Sequence, residues 1–571
     1  MNFKKYSHHA GNLLLWMATF ATLGLCCPAT LKNIEAQNPL LGAGDFISES
    51  LRYPGGLVSI ANTWLQQFYV YPWLGAALTA TLIMACSLSI GAALRSLKTR
   101  WGALAGLILA SVILFVEFPN QLTLLQITLS LLLYAGYAAL KMRNRSAGPA
   151  IACLLVFPVL GSAAAFGLYL AFLLTDLAEG RRVGSWIYSA VGLFLSILFP
   201  YLWSEGISYL DENQRQLFRM DALSFVLPLL PIVHLFCKSK ANTTDIKHPA
   251  VEWGCHLAAA LIIPALFLIQ KGKIAQKEDL YHMEQAAEEG DWSTVYQLAN
   301  ANRPNYTDLQ LRYALLAESE AGTLADNLFF YPVTSTDNFY FSRKTEVIPA
   351  FFNALFYKSV GVGDEYMHQI FEMGVQNHAS ASARTIRHLT EAAIMQGDKA
   401  LARKYFDIAC RSQKEQQWTE RTAQKLNELN STQVTKDSVP DRSGYFIGSY
   451  APKLEFTYMA LDDSTNTKRI NLMLCSFLLE KDMGRFKQAL SMYRELFRQH
   501  LPNAYAEAYL LANMDDRNYV LPFDVPQNKM QDWMNYLQLL SEDRIGEINQ
   551  QYSNTYWYYY LYSNAQAAKQ Q

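Results

Sequence analysis

Long apolar stretches separated by short charged breaks dominate the first 270 residues of the chain. A helix of roughly 20 apolar residues can cross a bilayer, and stretches of about that length lie near 11–30, 72–94, 102–118, 122–140, 184–203, 222–237 and 250–270. From about residue 275 the pattern changes to short helical periods rich in Ala, Glu, Gln, Lys and Tyr. The sequence predicts an all-α protein with a transmembrane domain of about seven to nine helices over 1–272 and a soluble helical domain over 275–571.

The segment 149–176, "PAIACLLVFPVLGSAAAFGLYLAFLLTD", is too long for one regular span. Pro158 and Gly161 interrupt it, so it is either one kinked span or two half-length helices in a hairpin. We favour the hairpin because Arg181 and Arg182 follow the segment closely and the Pro-x-x-Gly break suits a turn.

Basic residues in the short loops predict the orientation. Lys4 and Lys5, followed by the groups near 95–100 and 141–145, put the N-terminus on the cytoplasmic side and 31–71 outside. Beyond 149 both arrangements leave the same number of basic residues inside. The hairpin puts the C-terminal domain outside, in the periplasm, and a single span puts it inside.

The first outer loop contains an amphipathic helix over 57–69, after a Pro54-Gly55-Gly56 turn. Apolar side chains recur at helical spacing from Leu57 to Phe68, and Ser59, Asn62 and Thr63 fill the opposite face. Because apolar spans flank this helix, we expect it along the outer membrane–water interface with Trp64 and Tyr69 at headgroup level.

In the C-terminal half, Gly-Asp pairs separate helical patterns at 290–291, 363–364 and 397–398, and Gly484 stands in a similar setting. The first glycines of the second and third pairs are 34 positions apart, the period of tetratricopeptide repeats, which this half resembles. The segment 430–465 is predicted to be a long loop. The aromatic stretches 326–341 and "YSNTYWYYYLYSN" are predicted either to bind sugars or partners or, for the second, to form a capping helix face.

The composition and the motifs of the sequence limit the candidate functions. The net charge is −1, which gives no electrostatic case for nucleic acid. The eight cysteines form no disulfide or zinc pattern, and phosphate-binding glycine motifs, G-x-S-x-G and H-E-x-x-H are absent from the sequence. We therefore predict no cofactor and no metal. His8-His9, Asp462-Asp463 and Asp515-Asp516 are interpreted as solvated surface groups.

Under the hairpin arrangement six acids face outward and could meet at the first loop: Asp45, Glu49, Glu117, Glu205, Asp211 and Asp221. Such a loop, before many spans and a helical outer domain, resembles polytopic glycosyltransferases that use lipid-linked sugars. That resemblance is one of architecture, and it implies Asp45 or Glu49 as the catalytic carboxylate.

The whole chain also resembles a family of uncharacterised bacterial membrane proteins, most clearly in "YPGGL", "QQFYVYPWLGA" and the repeat-like half. The resemblance implies a multi-pass protein of the bacterial cytoplasmic membrane. Three functions remain open. The first is a scaffold that presents helical repeats to envelope proteins. The second is an enzyme acting on a lipid-linked sugar donor at the outer face. The third is a transporter, which would need broken helices in paired halves.

Overall fold

The structure is a computed structural model of the chain. It describes residues 3–38, 46–97, 102–118, 120–139, 156, 158–178, 183–202, 226–237, 249–301, 303–342, 346–376, 382–410, 416–429, 451–513 and 525–567. The side chains of some helix-end residues, including Glu49, lie outside this description. The regular elements in the described ranges are all helices, and no strand occurs in them. The predicted all-α class is therefore confirmed for the described part of the chain.

Twelve helices with described bounds precede residue 270, and residues 156 and 158–160 are helical as well. The twelve are α1 Phe3–Cys26, α2 Pro28–Ala36, α3 Phe46–Ser50, α4 Gly56–Gln66, α5 Pro72–Ser96, α6 Gly102–Glu117, α7 Gln121–Ala139, α8 Ser162–Ala178, α9 Val183–Leu202, α10 Val226–Cys237, α11 Pro249–Ala260 and α12 Ile262–Ile269. A 3₁₀ helix, Gln67–Val70, joins α4 to α5. The first helix ends at Cys26, before the predicted limit of residue 30. The reason is Pro28, which cannot continue a helix but suits the first turn of a new one.

Sixteen further α-helices follow within the described ranges. They are α13 Lys271–Glu289, α14 Trp292–Asn300, α15 Asp308–Ala321, α16 Leu324–Asn327, α17 Val347–Ser359, α18 Gly363–Gln376, α19 Ala383–Met395, α20 Lys399–Ala409, α21 Gln416–Glu428, α22 Pro452–Asp462, α23 Thr467–Leu479, α24 Met483–Met492, α25 Asn503–Ala512, α26 Gln527–Ser541, α27 Ile545–Tyr552 and α28 Tyr556–Ala567. The segments 326–341 and 494–497 include 3₁₀ turns.

Three described helical stretches are long and apolar enough to cross a membrane: His9–Cys26, Pro72–Ser96 and Gln121–Ala139. A fourth is possible if Trp253–Ile269 and Lys271–Glu289, which meet at a 70° bend, are counted as one broken span. Shorter apolar helices occur at Gly102–Glu117, Ser162–Ala178, Ile187–Phe199 and Val226–Phe236. A larger number of spans stays a prediction.

The chain forms two compact units. The first comprises Met1–Tyr281, Gly374–Arg387 and Arg403–Gln424, and the second comprises His282–Met373, His388–Ala402 and Lys425–Gln571. The first unit thus includes two segments from the C-terminal half. The division into a transmembrane domain over 1–272 and a soluble domain over 275–571 stays a prediction.

Small residues allow close helix packing in the first unit. A Cβ atom on Gly106 of α6 would lie 2.5 Å from the carbonyl oxygen of Ser87 and 3.1 Å from the nitrogen of Gly91, both on α5. Apolar helices attract one another mainly through such close contact when the surroundings are also apolar. The core around them is aliphatic, with Ile83, Ile90 and Leu107 fully buried.

The second unit is built from helices joined by tight turns. Gly290 and Gly397 have the left-handed φ angles of 80° and 76° that end one helix, and Asp291 and Asp398 begin the next. The other two predicted turns differ in detail, because the left-handed residue is Gly361 in one and Lys481 in the other. The tetratricopeptide arrangement itself stays a prediction.

The predicted loop over 430–465 is wrong for its last third, where Pro452–Asp462 forms α22. Residues 430–450 lie outside the described residues. Pro452 suits the first helical turn. Phe456, Met459 and Ala460 are buried at helical spacing, and this short period was hidden among polar neighbours.

Candidate functional site: the first-loop region

The Pro-Gly-Gly turn before α4 requires both of its glycines. Gly55 has a φ angle of 92°, in the left-handed region that glycine adopts without steric cost. A Cβ atom on Gly56 would lie only 1.6 Å from the carbonyl oxygen of Ser50. The turn is therefore a place of close backbone approach, which explains the glycine pair in "YPGGL" structurally.

This turn is bonded to the interruption in the segment 149–176. The Gly55 nitrogen donates to the Pro158 carbonyl at 2.9 Å, and Gln126 Nε2 donates to the Leu160 carbonyl at 2.7 Å. The interruption lies where expected, because Gly161 has a φ angle of 86° and α8 begins at Ser162. The structure thus brings together the first-loop turn and the break in 149–176, which are about a hundred residues apart in the chain.

Helices α7 and α8 run in the same direction. Gln126, early in α7, bonds the residue just before the start of α8. Late in both helices, Tyr134 and Thr175 share a hydrogen bond of 2.7 Å, and the Tyr137 hydroxyl donates to Asp176 at 2.6 Å. The chain therefore reaches Pro158 at the end of the bundle where α7 begins.

Helix α4 buries its polar face. Ser59, Asn62 and Thr63 are buried, while Leu57 and Trp64 are 50% and 53% exposed. The Thr63 carbonyl accepts a 2.8 Å hydrogen bond from Asn38 Nδ2. In water this orientation would be unfavourable, because it exposes apolar area and buries hydroxyl and amide groups. It suits the predicted position along an apolar boundary for Trp64. The prediction is wrong for Tyr69, which is buried with its hydroxyl bonded to Thr79 and Gln121.

Helix α2, which directly follows α1, is held by two distant residues of the same unit. Glu278 accepts hydrogen bonds at its N-terminus from the Ala29 and Thr30 nitrogens, the second at 3.0 Å, and from Thr30 Oγ1 at 2.7 Å. Near its C-terminus, Arg387 Nη2 donates to both Glu35 carboxylate oxygens at 2.9 and 3.0 Å. The Ala383 nitrogen also donates to the Asn38 carbonyl at 3.1 Å. A carboxylate at a helix N-terminus is favourable because of the helix dipole.

The predicted catalytic acids are only partly covered by the structure. Asp45 lies outside the described residues, and Glu49 lies in α3, with its side chain outside the description. Glu117 is buried at the end of α6. The other predicted members, Glu205, Asp211 and Asp221, lie outside the described residues. The convergence of these acids at the first loop stays a prediction.

Sequence reasoning missed Glu35, Glu278 and Arg387. Arg387 is 352 positions from Glu35, and Glu278 is 248 positions from Thr30, so no local spacing in the sequence indicates these contacts. The one available signal was Glu35 itself. It lies next to Ile34 in a short, partly apolar helix, and a carboxylate buried there without a partner would be costly.

The acidic pairs in the C-terminal half have structural partners where they are described. Asp462 binds Arg469 Nη1 at 2.8 Å, and Asp463 accepts from Thr465 Oγ1 at 2.7 Å, a bond that lowers the pKa of Asp463. Asp515 and Asp516 lie outside the described residues, and His9 is exposed. Among the described side chains, no group of three or more His, Cys, Asp or Glu could hold a metal ion.

The aromatic stretches contribute to the core of the second unit. Trp557 is fully buried against Trp533 and Tyr536, with ring centroids 5.0 and 5.4 Å away. Tyr340 donates to the buried Glu455 carboxylate at 2.9 Å, and Tyr357 donates to the same group. Burial, followed by the charge of Glu455, raises the pKa of both phenols well above the ordinary value. These tyrosines therefore stay neutral hydrogen-bond donors.

These features define an all-helical protein with several membrane-length apolar helices and a C-terminal half of short helices joined by tight turns. Residues 3–563 match a family described as a family of unknown function (DUF6057). The chain belongs to this family. No curated protein and no solved structure matches the chain.

Proposed function

We propose that the chain is a multi-span protein of the bacterial cytoplasmic membrane that presents a tetratricopeptide-like helical array on the outer side. The array is a scaffold for protein partners of the cell envelope. The observation that carries the proposal is the double contact of α2. This helix directly follows the first apolar helix, whereas Glu278 and Arg387, which bind it, come after the last apolar helix.

The contact is evidence for the side of the membrane on which Glu278 and Arg387 lie, because two polar segments can touch only if they are on the same side of a bilayer. One apolar helix separates the N-terminus from α2. Helix α2, and with it Glu278 and Arg387, therefore lies on the opposite side of the membrane from the N-terminus. The parallel course of α7 and α8 supports the same arrangement, since it favours a hairpin over a single span for 149–176. With the N-terminus in the cytoplasm, the C-terminal half faces outward.

Cysteine labelling in intact cells tests the orientation. A cysteine-free version carries Met492→Cys, which is 63% exposed in the wild type, or His9→Cys near the N-terminus. A reagent that cannot cross the cytoplasmic membrane should label the Met492→Cys protein in intact cells and the His9→Cys protein only after lysis. The reverse pattern would contradict the outward orientation.

Photo-crosslinking in cells tests the scaffold role. A photoreactive methionine analogue at Met492 or Met534, both exposed on the array, should form adducts of defined mass with the same protein partner. Met17 is the matched control because it is exposed on the apolar helix α1 and should react with lipid. Array positions that yield no protein adduct would contradict the scaffold function.

A glycosyltransferase-like enzyme that uses a lipid-linked sugar is the second candidate. Its support is the bond between the Gly55 turn and Pro158, which joins the first loop to the broken segment of the apolar helices. Under this function Asp45→Asn or Glu49→Gln should cause the same cellular defect as loss of the protein, although the variant is present at an equal level. The exposed Glu495→Gln is the control, and normal behaviour of both loop variants would favour the scaffold. A transporter remains a third hypothesis, with one broken segment in its favour.

A further inference from the structure

The buried N-terminus of helix α8 has an excess of hydrogen-bond donors. The first backbone N–H groups of any helix have no partner within the helix. The residue before α8 is Gly161, which has no side chain that could cap them, and the first turn contains no acidic residue. Four helices of the second unit, by contrast, are capped by side-chain oxygens, from Asp291, Thr307, Asn466 and Asp482.

A second and independent observation points to a missing acceptor at the same place. Ser162 is fully buried, and its Oγ atom has no hydrogen-bond partner within the described part of the chain. Side chains on a helix tilt toward its N-terminus, so the hydroxyl of this first residue lies at the uncapped end. A buried hydroxyl without a partner is costly.

Two of the neighbouring acceptors are already occupied. The Pro158 carbonyl accepts from the Gly55 nitrogen, and the Leu160 carbonyl accepts from Gln126 Nε2. Donors therefore remain in surplus at a positively polarised helix end, the arrangement that binds phosphate and other anions in proteins. Ala163 and Ala164, which follow in the first turn, have small side chains and are buried.

We propose that the N-terminus of α8 binds a phosphate group, with Ser162 Oγ and the first backbone N–H groups as donors. The bond between Gly55 and Pro158 puts this end beside the first loop, where α5 and α7 also begin, which is the level of lipid phosphates if these helices span a bilayer. The phosphate can belong to a lipid headgroup or be a free ion. The proposal does not depend on the scaffold function.

The experiment uses the purified full-length protein in a neutral detergent. Native mass spectrometry and thermal unfolding compare phosphatidic acid, diacylglycerol with the same acyl chains, and inorganic phosphate. Phosphatidic acid should bind and raise Tm, whereas diacylglycerol should do neither. A response to inorganic phosphate as well would identify a free-ion site, and a response to phosphatidic acid alone would identify a headgroup site.

Variants at one position locate the site. Ser162→Ala should weaken phosphatidic acid binding roughly tenfold, since it removes a hydrogen bond to a charged group. Ser162→Thr keeps a hydroxyl group and should bind phosphatidic acid as the wild type does. Ser162→Asp should abolish binding, because its carboxylate would occupy the donors and repel the phosphate. Ser130→Ala is the matched control, because Ser130 is also fully buried with an unpartnered Oγ but lies in the middle of α7.

Three results would overturn the proposal. One is equal binding of diacylglycerol and phosphatidic acid by the wild-type protein. Another is the absence of a response to either phosphate probe, which would leave water as the acceptor at this end. The third is a loss of binding in Ser130→Ala as large as that in Ser162→Ala. The first two need no variant, so they stand even if a substitution prevents folding.

Discussion

The two compact units differ in how fully their buried polar groups are hydrogen-bonded. In the second, Arg469 is buried and donates to the carbonyls of Val360, Gly361 and Met459 and to the Asp462 carboxylate, at 2.8 to 3.2 Å. In the first, Ser87, Ser130 and Ser162 are fully buried with hydroxyl oxygens that have no partner within the described part. Close steric fit contributes more to the stability of the first unit, where glycines allow backbone segments to approach each other closely.

The difference teaches where each unit is sensitive. A fold stabilised by charge matching is expected to fail when a charge is removed, because the remaining partners stay buried and unsatisfied. A fold that depends on close backbone approach is expected to fail when a single methyl group is added. Each prediction below tests one side of this comparison and has a control of the same residue type.

Removing the buried guanidinium should have the largest effect. Arg469→Met is expected to lower the free energy of unfolding by about 4 kcal/mol, because Asp462 and three carbonyl groups lose their donor. Arg485→Met is the control. Its side chain is 57% exposed and contacts Asp482 only at 3.6 Å, so we expect a change below about 0.5 kcal/mol. Thermal unfolding of the purified protein measures both, and equal shifts would remove the contrast.

Adding one methyl group to the first-loop turn should be nearly as severe. Gly56→Ala is expected to cost about 3 kcal/mol, since the new Cβ would collide with the Ser50 carbonyl. Gly136→Ala in α7 is the control, because no atom lies within 4 Å of its Cβ position. The fraction of protein that remains monodisperse after heating in detergent measures the difference. Tolerance of Gly56→Ala would refute the shape argument for the first unit.

A turn glycine of the second unit should show a smaller, conformational effect. Gly397→Ala is expected to cost about 1.5 kcal/mol because its φ angle is 76°, while its Cβ position is open. Gly484 lies inside α24 with an ordinary neighbour 3.9 Å from its Cβ position. Gly484→Ala should be neutral or stabilise the protein by about 0.5 kcal/mol. Tm values compare the two, and equal losses would contradict a purely conformational cause.

The smallest effect should come from a helix cap, and it should depend on pH. Asp482 accepts from the Arg485 nitrogen at 3.2 Å and from Lys453 at 2.8 Å, so Asp482→Ala should cost about 1 kcal/mol at neutral pH. The hydrogen bond from Lys453 is the main reason that the pKa of Asp482 lies below its usual range. A lowered carboxyl pKa stabilises the fold above the unfolded value, and the gain is lost as pH falls through the folded value.

Unfolding curves of the wild type and Asp482→Ala at pH 7 and near pH 3 check this cap. The difference in Tm between the two proteins should shrink on acidification. Asp482→Asn is the matched variant, since it keeps the capping oxygen but loses the charge, and its difference from the wild type should depend on pH in the same direction. A difference that grows at low pH would contradict the assigned cause.

Much of the secondary structure could be predicted because its signals are local. The apolar stretches at 72–94, 122–140 and 184–203 agree with α5, α7 and α9 to within a few residues. Gly290-Asp291 and Gly397-Asp398 form the predicted turns, since a left-handed residue followed by a capping acid suffices to end one helix and begin the next. Lys481 was not predictable as a turn residue, because its φ angle of 56° depends on surrounding contacts, including a bond to the Tyr560 carbonyl.

The sequence by itself determined the helical class, the positions of the long apolar helices, the amphipathic pattern of 57–69, whose α-helix ends at Gln66, and the break at Gly161. These features depend on residue spacing and on the conformational limits of proline and glycine, which act within a few residues. Only the tertiary structure decided that α7 and α8 are parallel, that the Gly55 turn bonds Pro158, and that Glu35 pairs with Arg387. Each of these contacts joins segments that are tens to hundreds of residues apart, and its energy comes from burying complementary groups that no local pattern pairs.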